Sequence, residues 1–361
     1  MEFRPLHGGQ LHQVADRFRI PLSELLDFSA NINPDGPPPA VLSCLREATN
    51  NPSIITNYPD LDELELRRHF ASYVGVQPEN IAVANGFVPL LDAALRTLAL
   101  RSCLVPVPAF VEYRRTLGRS GVEMLPHILD ADSGFDCHAD NLFSKSCDAI
   151  LLANPQNPSG AVCSHGELLR LMKEASKRNV FILLDEAFID YCPESSIVRK
   201  IDHFPNLIVF RSVTKFFGMA GLRVAYATAN TDLCKQIQQL IAPWSVTSLA
   251  SLAAGLAVQD ADYARQTIAL NKLRRQQLQA AIGKLGIHVY PSAANFLLLR
   301  LSGSIGCQQF WECLIRNHNI VLRNCANYDG LTDEFLRTAV RTETENKLLI
   351  DALACEVENR Q

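Results

Sequence analysis

The chain has 361 residues, 48% of them hydrophobic and 20% charged, a composition typical of a soluble globular protein with a large core. Its net charge of -4 argues against nucleic-acid or anionic-membrane partners, and no apolar run reaches the roughly 18 residues of a membrane span. Eleven scattered cysteines and nine histidines show neither a disulfide framework nor metal-site spacing. We therefore expect a cytoplasmic protein without a metal. The net charge does not exclude a small anionic substrate.

The chain begins with an irregular, proline-rich stretch of about 40 residues, which predicts an ordered arm leading into a helix near 40–48. From about residue 79, short apolar runs alternate with helical patterns such as 164–178, and a further buried helix is predicted at 248–258. Strands that alternate with helices predict the α/β class, with a mainly parallel sheet covered on both faces. The predicted strands are 81–84, 103–107, 149–153, 180–184, 207–210 and 224–228.

The pattern changes after a long helix predicted over 262–285. A strand near 295–301, a helix near 307–317, strands near 320–324 and 335–341 and a last helix follow. This order predicts a second, smaller α+β domain. We divide the chain into an arm with part of the small domain (1–48), a large domain (49–260) and a small C-terminal domain (261–361).

One predicted strand ends in a pair of carboxylates, Asp185 and Glu186. Ligands of α/β sheets bind at the carboxyl ends of the strands, where an aspartate can hold a cation or a protonated ring nitrogen. The alternative is that Asp185 caps a helix, since aspartate is a good N-cap residue.

The segment 211–223 concentrates groups that suit an anion. Ser212 and Thr214 share one face of an extended segment, and Arg223 adds a planar pair of donors. Among cationic donors and apolar rings, Lys215 would have a lowered pKa and would serve as an amine nucleophile. The alternative for Lys215 is an ordinary solvated lysine in a loop.

A third motif, Asn154-Pro155-Gln156-Asn157-Pro158-Ser159-Gly160, follows the strand that ends at residue 153. Its two Asn-Pro steps hold the backbone extended or turned. Asn157 is placed to donate a hydrogen bond to a ring oxygen, and the alternative is a plain turn.

Taken in order, these three motifs resemble those of the fold-type-I pyridoxal-phosphate enzymes, in the class I/II aminotransferase superfamily. The resemblance covers essentially the whole chain, and it implies pyridoxal 5'-phosphate as the cofactor and a large, mainly parallel-sheet domain with a small α+β domain. It also implies that Lys215 binds the cofactor aldehyde and then moves protons, and that Asp185 pairs with the ring nitrogen.

The remaining cofactor roles also come from the resemblance. Asn157 would donate to the ring phenolate, and Tyr113 would stack on the ring unless it only packs in the core. Tyr58 would reach the phosphate from the neighbouring subunit, which implies a homodimer with shared active sites. The phosphate would be held by Ser212, Thr214, Arg223 and the backbone at Gly86 and Phe87.

Two positions depart from the family pattern. Val88 has no side-chain donor where the family usually has a polar residue, so the backbone must hold the phosphate there. Phe188 stands where many relatives carry a tyrosine hydroxyl, so Asn157 would act without that second donor.

This sequence is similar to two branches of the superfamily. They are the threonine-phosphate decarboxylases of cobalamin synthesis and the histidinol-phosphate aminotransferases, which use 2-oxoglutarate. Segments at 7–9, 26–34, 185–190, 243–246 and 322–331 resemble the decarboxylases, as does Phe188. The resemblance implies decarboxylation of O-phospho-L-threonine to (R)-1-aminopropan-2-yl phosphate, with O-phosphoserine as a second candidate substrate. A non-enzymatic regulatory protein is disfavoured because a binding module would not need Lys215.

A phosphorylated amino acid carries a carboxylate and a phosphate, and arginine pairs well with both. Arg337 and Arg341 are four residues apart on a predicted strand and share a face, although Arg341 has the alternative of supporting the strand. By resemblance, the substrate is bound by His7, Gly8, Asn31, Asn157, Arg323 and Arg337. The cysteines are expected to be small core residues, with Cys325 close to the site.

Overall fold

The computed structural model describes residues 5–301 and 306–359, so the predicted first and last domain bounds lie outside the described residues. Thirteen strands are described: β1 Leu26–Asp27, β2 Ile81–Ala84, β3 Ser102–Val107, β4 Glu123–Ile128, β5 Ala149–Ala153, β6 Phe181–Asp185, β7 Leu207–Ser212, β8 Ala225–Thr228, β9 His288–Val289, β10 Phe296–Arg300, β11 Ile320–Val321, β12 Arg323–Asn324 and β13 Phe335–Ala339. Twelve α-helices are described: α1 Leu11–Phe18, α2 Pro39–Ala48, α3 Ser53–Thr56, α4 Leu64–Val74, α5 Phe87–Leu98, α6 Val111–Arg119, α7 His165–Lys177, α8 Thr231–Leu240, α9 Ser248–Gln259, α10 Ala261–Lys284, α11 Cys307–His318 and α12 Glu343–Glu358.

The large sheet has seven strands in the order β2-β8-β7-β6-β5-β3-β4. Strand β8 is antiparallel to both of its neighbours, and the other pairs are parallel. The carboxyl ends of β2, β3, β5, β6 and β7 therefore meet at one edge. All six predicted strands belong to this sheet, which confirms the α/β class and the mainly parallel arrangement.

Strand β4 was not predicted from the sequence. It lies at the edge of the sheet and alternates exposed with partly buried residues, including Pro126 and His127. An edge strand needs no continuous apolar run, so a search for buried strands passes over it.

Two hydrophobic clusters cover the faces of this sheet, as predicted. Along β6, Leu183 points into the cluster with α5, α6 and α8, whereas Ile182 and Leu184 point into the cluster with α4, α7 and α9. This alternation along a fully buried strand follows from the two-residue period of side chains.

A second, antiparallel sheet has the order β12-β13-β10-β9, and a third cluster packs α10, α11 and α12 against it. Val14 and Phe28 of the arm are buried in that third cluster, whereas Val41 of α2 lies in the core of the large sheet. The proposed domain bounds stay a prediction.

The predicted strand at 320–324 is two short strands with different partners. Strand β11 pairs with β1, and β12 pairs with β13. Between them, the Leu322 carbonyl accepts a hydrogen bond from the Trp311 indole at 2.7 Å, outside either ladder. Within the described residues, no helix is both long enough and apolar enough to cross a membrane.

Candidate active site

The candidate site lies at the edge where the carboxyl ends of the strands meet. Asp185 is the last residue of β6, Ser212 is the last residue of β7, and Asn157 follows β5. Gly86 follows β2 and precedes α5. The topology thus brings together residues up to 126 positions apart, as the crevice rule for α/β sheets predicts.

Asp185 is buried and accepts two hydrogen bonds. One comes from the Ala187 N–H at 2.9 Å and the other from the Tyr113 hydroxyl at 2.5 Å. Burial raises the pKa of Asp185, whereas the Tyr113 hydrogen bond and the charge of Lys215 oppose that rise. The capping alternative is wrong, because the next helical turn, Ile189–Tyr191, has Phe188 at its N-cap. The carboxylate is suited to a buried cationic ring nitrogen.

Tyr113 is 1% exposed, and its ring centroid lies 5.7 Å from that of Phe87 and 5.8 Å from that of Phe110. The structure therefore shows both the core packing that was the alternative and a polar contact with Asp185. Stacking of Tyr113 on the cofactor ring stays a prediction.

Lys215 extends towards the same group of residues. Its Nζ lies 3.4 Å from the Ser212 Oγ, and the Lys215 carbonyl accepts a hydrogen bond from the Asn33 N–H at 3.0 Å. Burial lowers the pKa of Lys215 to about 8; Asp185 opposes this change and Arg223 reinforces it. This is the environment of an amine nucleophile and not that of a solvated loop lysine.

A set of donors that suits a phosphate group lies next to Lys215. The Ser212 and Thr214 hydroxyls are buried and lie 2.7 Å apart. Helix α5 begins at Phe87 without a side-chain cap, so its first N–H groups remain for an anion, and Val88 can contribute only its backbone. A Cβ placed on Gly86 would be 2.9 Å from the Arg223 Nη2, which shows that the guanidinium lies against this turn. These residues fit a phosphate group.

Replacement of Gly86 by alanine is expected to weaken cofactor binding about tenfold or more. Gly86 has φ 111°, where a side chain costs roughly 1–3 kcal/mol, and the new Cβ would push Arg223 away. Absorbance titration of the cofactor-free protein measures this effect. Gly283→Ala is the matched control, because its Cβ meets no atom within 4 Å. Equal cofactor affinity for Gly86→Ala and wild type would contradict the assignment of this turn.

Cofactor loading is expected to depend on pH through Lys215. Only the neutral amine attacks an aldehyde, and the lowered pKa makes about a tenth of Lys215 neutral at pH 7 instead of a fraction below about 0.1%. The loading rate should rise about tenfold per pH unit until the pH reaches the pKa of about 8 and then level off. A rate that keeps rising to pH 10 would contradict this prediction; stopped-flow absorbance follows it directly.

A second group of residues adjoins the first. The Arg337 Nη1 donates to the Asn157 Oδ1 at 2.6 Å, and its Nη2 donates to the Ser29 carbonyl at 2.9 Å. Because Oδ1 of Asn157 is used, its Nδ2 remains as the donor towards a ring oxygen. The Arg337 Nε and the Asn31 Oδ1 are buried without a partner in the described chain. Both atoms are therefore available to a polar ligand.

Arg323 is buried against the arm. Its Nη1 donates to the carbonyls of Pro5, at 3.0 Å, and Asn324, and its Nη2 donates to the Leu6 carbonyl at 2.8 Å and the Asn327 Oδ1 at 2.7 Å. Each of the four Nη hydrogens thus has a protein acceptor. A substrate anion would have to exchange with the arm carbonyls, so the role of Arg323 as an anchor stays a prediction.

His7 and Gly8 lie in this same arm. The His7 Nε2 is 2.9 Å from the Glu112 Oε1, and a Cβ on Gly8 would overlap the Ser29 carbonyl oxygen. Burial lowers the pKa of His7, while Glu112 opposes that change. The structure therefore brings His7 and Gly8 to the two arginines, and their contact with substrate stays a prediction.

Four other residues that the sequence singled out have contacts outside the two groups described above. Arg341 bonds to Glu345 at 2.6 Å, which supports its structural alternative, and Cys325 is buried with a raised pKa because of desolvation. Phe188 packs edge-on against Phe296 with the ring centroids 5.0 Å apart. Tyr58 is 79% exposed, and its ring lies 4.6 Å from that of Trp244.

Sequence reasoning missed two residues that contact the Arg323 and Arg337 guanidinium groups. The Tyr328 ring lies under the Arg323 guanidinium at 5.1 Å, and its hydroxyl is 3.5 Å from the Arg337 Nη1. Ser29 contributes its carbonyl oxygen to Arg337. Both lie in segments quoted for family resemblance, but no residue type or spacing marks a carbonyl or an aromatic face as a ligand.

Comparison with known proteins identifies the family. The family model described as aminotransferase class I and II matches residues 23–353. This chain belongs to the class I and II aminotransferase family. The chain therefore has the fold-type-I architecture, and its cofactor is pyridoxal 5'-phosphate.

Relatives of this aminotransferase-family chain include members of both branches. It is 32% identical to the threonine-phosphate decarboxylase of Salmonella typhimurium, over 97% of this chain and 96% of that protein. It is 31% identical to the histidinol-phosphate aminotransferase of Roseiflexus castenholzii, over 95% of this chain and 92% of that protein. The crystal structure of L-threonine-O-3-phosphate decarboxylase from Porphyromonas gingivalis has a TM-score of 0.80 at 26% identity, covering 92% of this chain and 99% of that one.

Proposed function

We propose that this enzyme decarboxylates O-phospho-L-threonine to (R)-1-aminopropan-2-yl phosphate and carbon dioxide in cobalamin biosynthesis, in the cytoplasm. The observation that carries the proposal is the pair of buried arginines, Arg323 and Arg337, which are register partners in β12 and β13, with Arg337 hydrogen-bonded to Asn157. Two cationic forks suit a substrate with both a carboxylate and a phosphate. Similarity to the Salmonella typhimurium decarboxylase supports this branch.

The cofactor is held, in this proposal, by residues on three sides. Lys215 binds the aldehyde, Asp185 meets the ring nitrogen, and Asn157 donates to the ring oxygen. The phosphate is bound by Ser212, Thr214, Arg223 and the first N–H groups of α5. When bound, pyridoxal 5'-phosphate supplies the electron sink for the bond that breaks at the substrate Cα.

The protein's contribution is to orient the substrate and to manage protons. Arg337 and Arg323 would bind the two anionic groups and would thereby orient the substrate and select which bond at Cα breaks. After carbon dioxide has left, Lys215 Nζ delivers a proton to Cα, which a group with a pKa of about 8 does readily near neutral pH. The negative charge of Asp185 would keep the ring nitrogen protonated during the loss of carbon dioxide and during the proton transfer to Cα.

O-Phosphoserine is expected to be a slower, second substrate. It lacks one methyl group, and one methylene-sized group is worth only about 1–3 kcal/mol of discrimination.

Identification of the product tests the main proposal: the enzyme is incubated with O-phospho-L-threonine alone, and the amine is identified by mass spectrometry. Formation of 1-aminopropan-2-yl phosphate supports the proposal, and formation of a keto acid contradicts it.

A second candidate function is histidinol-phosphate:2-oxoglutarate aminotransfer, because a relative with that name is 31% identical over nearly the whole chain. It requires a keto acid as second substrate and space for an imidazole. Incubation of the enzyme with histidinol phosphate and 2-oxoglutarate tests it, with glutamate as the expected product. Glutamate formation at a higher kcat/KM than decarboxylation would favour this alternative.

We further propose a homodimer with shared sites, in which Tyr58 contacts the partner's cofactor phosphate. The exposed Tyr58 ring on Trp244 and the neighbouring exposed Ile55 and Leu61 form an apolar surface that a second copy would cover. Tyr58→Ala and Lys215→Ala are each expected to inactivate the enzyme. Mixing the two variants should restore up to about a quarter of wild-type activity, since random exchange makes half of the dimers mixed, each with one intact site. No recovery after subunit exchange would contradict shared sites.

A further inference from the structure

A buried ion cluster lies directly behind the residues assigned to the cofactor. Arg211 donates through Nε to the Glu186 Oε2 at 2.9 Å, and it places Nη2 at 2.8 Å from the same oxygen as an ion pair. Its Nη2 also donates to the Ser196 Oγ at 2.7 Å, and its Nη1 lies 3.4 Å from the Asp190 Oδ1. Glu186 is 0% exposed and Arg211 is 6% exposed. We call Glu186, Asp190, Ser196 and Arg211 the Arg211 cluster.

The Arg211 cluster joins β6 and β7 at their carboxyl ends. Asp185 pairs with Phe210 in the strand register, so Glu186 and Arg211 are the next pair along, and the Glu186 N–H donates to the Phe210 carbonyl at 2.8 Å. Glu186 immediately follows Asp185, and Arg211 immediately precedes Ser212. Because side chains alternate along a strand, Asp185 and Ser212 face the site while the ion pair lies on the opposite face.

A gain in stability does not by itself explain why the charged side chains of Glu186 and Arg211 are buried here. Removing two charges from water is costly, and well-packed apolar residues of similar size often stabilise a protein as well or better. The preceding positions of these strands, 182–184 and 207–210, are apolar and hold the sheet together without ions. What an arginine–carboxylate pair adds is direction, because the planar fork defines the distance and angle between the two strands.

We propose that Glu186 and Arg211 are positioning residues that set the separation between the Asp185 carboxylate and the Ser212 hydroxyl. One strand end thus meets the cofactor ring nitrogen and the other meets its phosphate, at a distance fixed by the ion pair. The inference rests on the roles given to Asp185 and Ser212 in the proposed function. It concerns cofactor binding, so it is tested without any substrate.

The decisive variant is Arg211→Lys, which keeps the charge but cannot reach Glu186, Ser196 and Asp190 together. We expect its dissociation constant for pyridoxal 5'-phosphate to rise about tenfold or more, because displacement of one anchor by a fraction of an ångström spoils both contacts. We also expect a shifted midpoint when the absorbance of the bound cofactor is titrated against pH. Glu186→Gln, which has the same shape without the charge, should change both quantities in the same direction.

The matched control is Tyr73→Phe. The Tyr73 hydroxyl donates to the Asp190 Oδ1 at 3.0 Å, so this variant disturbs the same buried cluster without touching the Glu186–Arg211 contact. It should lower the melting temperature of the cofactor-free protein and leave cofactor affinity within about twofold of wild type.

Wild-type affinity and absorbance midpoint in both Arg211→Lys and Glu186→Gln would overturn the inference. An equal loss of affinity in Tyr73→Phe would do so as well, because the effect would then follow stability alone. Asp185→Asn separates this failure from failure of the assigned roles. If it leaves the absorbance midpoint unchanged, the role of Asp185 is wrong, whatever Arg211→Lys shows.

Discussion

Replacement of Lys215 by alanine is expected to reduce decarboxylation by on the order of 10⁴-fold or more. The variant removes the amine that binds the cofactor aldehyde and also the group that returns a proton to Cα, and general acid–base catalysis alone contributes roughly 10²–10⁴-fold. Burial lowers the pKa of Lys215 to about 8, which suits an amine with both of these proposed tasks. Steady-state carbon dioxide release measures the effect.

Two comparisons make the Lys215 prediction specific. Lys215→Arg keeps a positive charge but cannot act as an amine nucleophile, so it should be as inactive as the alanine variant. Lys272→Ala, at an exposed position on α10, should keep wild-type activity. More than about one hundredth of wild-type activity in Lys215→Ala, with native cofactor absorbance, would contradict the assignment.

Asp185→Asn is expected to lower kcat by about 10²–10³-fold, the usual cost of losing one electrostatic contact at a reacting centre. Asparagine has the same shape and still accepts the Ala187 N–H, but it has no charge to keep the ring nitrogen protonated. The loss should appear in kcat, with KM for O-phospho-L-threonine changed less than about tenfold, because the proposed function assigns the substrate's anions to the two arginines and not to Asp185.

The control for this second prediction is Tyr113→Phe. It removes the hydroxyl that donates to Asp185 at 2.5 Å but leaves the carboxylate and the aromatic ring. Its kcat should fall less than about tenfold, since a single hydrogen bond contributes about 1 kcal/mol. If Tyr113→Phe were as impaired as Asp185→Asn, the hydrogen bond and not the charge would be the essential feature.

The sequence predicted the layered fold well because buried strands are continuous apolar runs. The six runs between residues 81 and 228 all became strands of the large sheet. Strand β4 was not predicted because an edge strand is half exposed. The division of 320–324 into two strands at Leu322 was not predicted because it depends on a distant donor, Trp311. Local patterns do not contain such tertiary contacts.

The site was predictable in its residue types and less so in its contacts. The crevice rule pointed to Asp185 at a strand end, and the family resemblance joined it with Lys215 and Ser212. The Tyr113–Asp185 hydrogen bond joins residues 72 positions apart, and the arm carbonyls that accept from Arg323 come from more than 300 positions away. A backbone carbonyl has no sequence signature, so these contacts needed the structure.

The most direct test of the proposed function is release of labelled carbon dioxide from O-phospho-L-threonine that carries the label in its carboxyl group. The purified enzyme is loaded with pyridoxal 5'-phosphate, and no keto acid is added. We expect sustained release over many turnovers, with one equivalent of the phosphorylated amine per carbon dioxide. Absence of release, together with aminotransfer from histidinol phosphate to 2-oxoglutarate, would contradict the proposal and assign the enzyme to the aminotransferase branch.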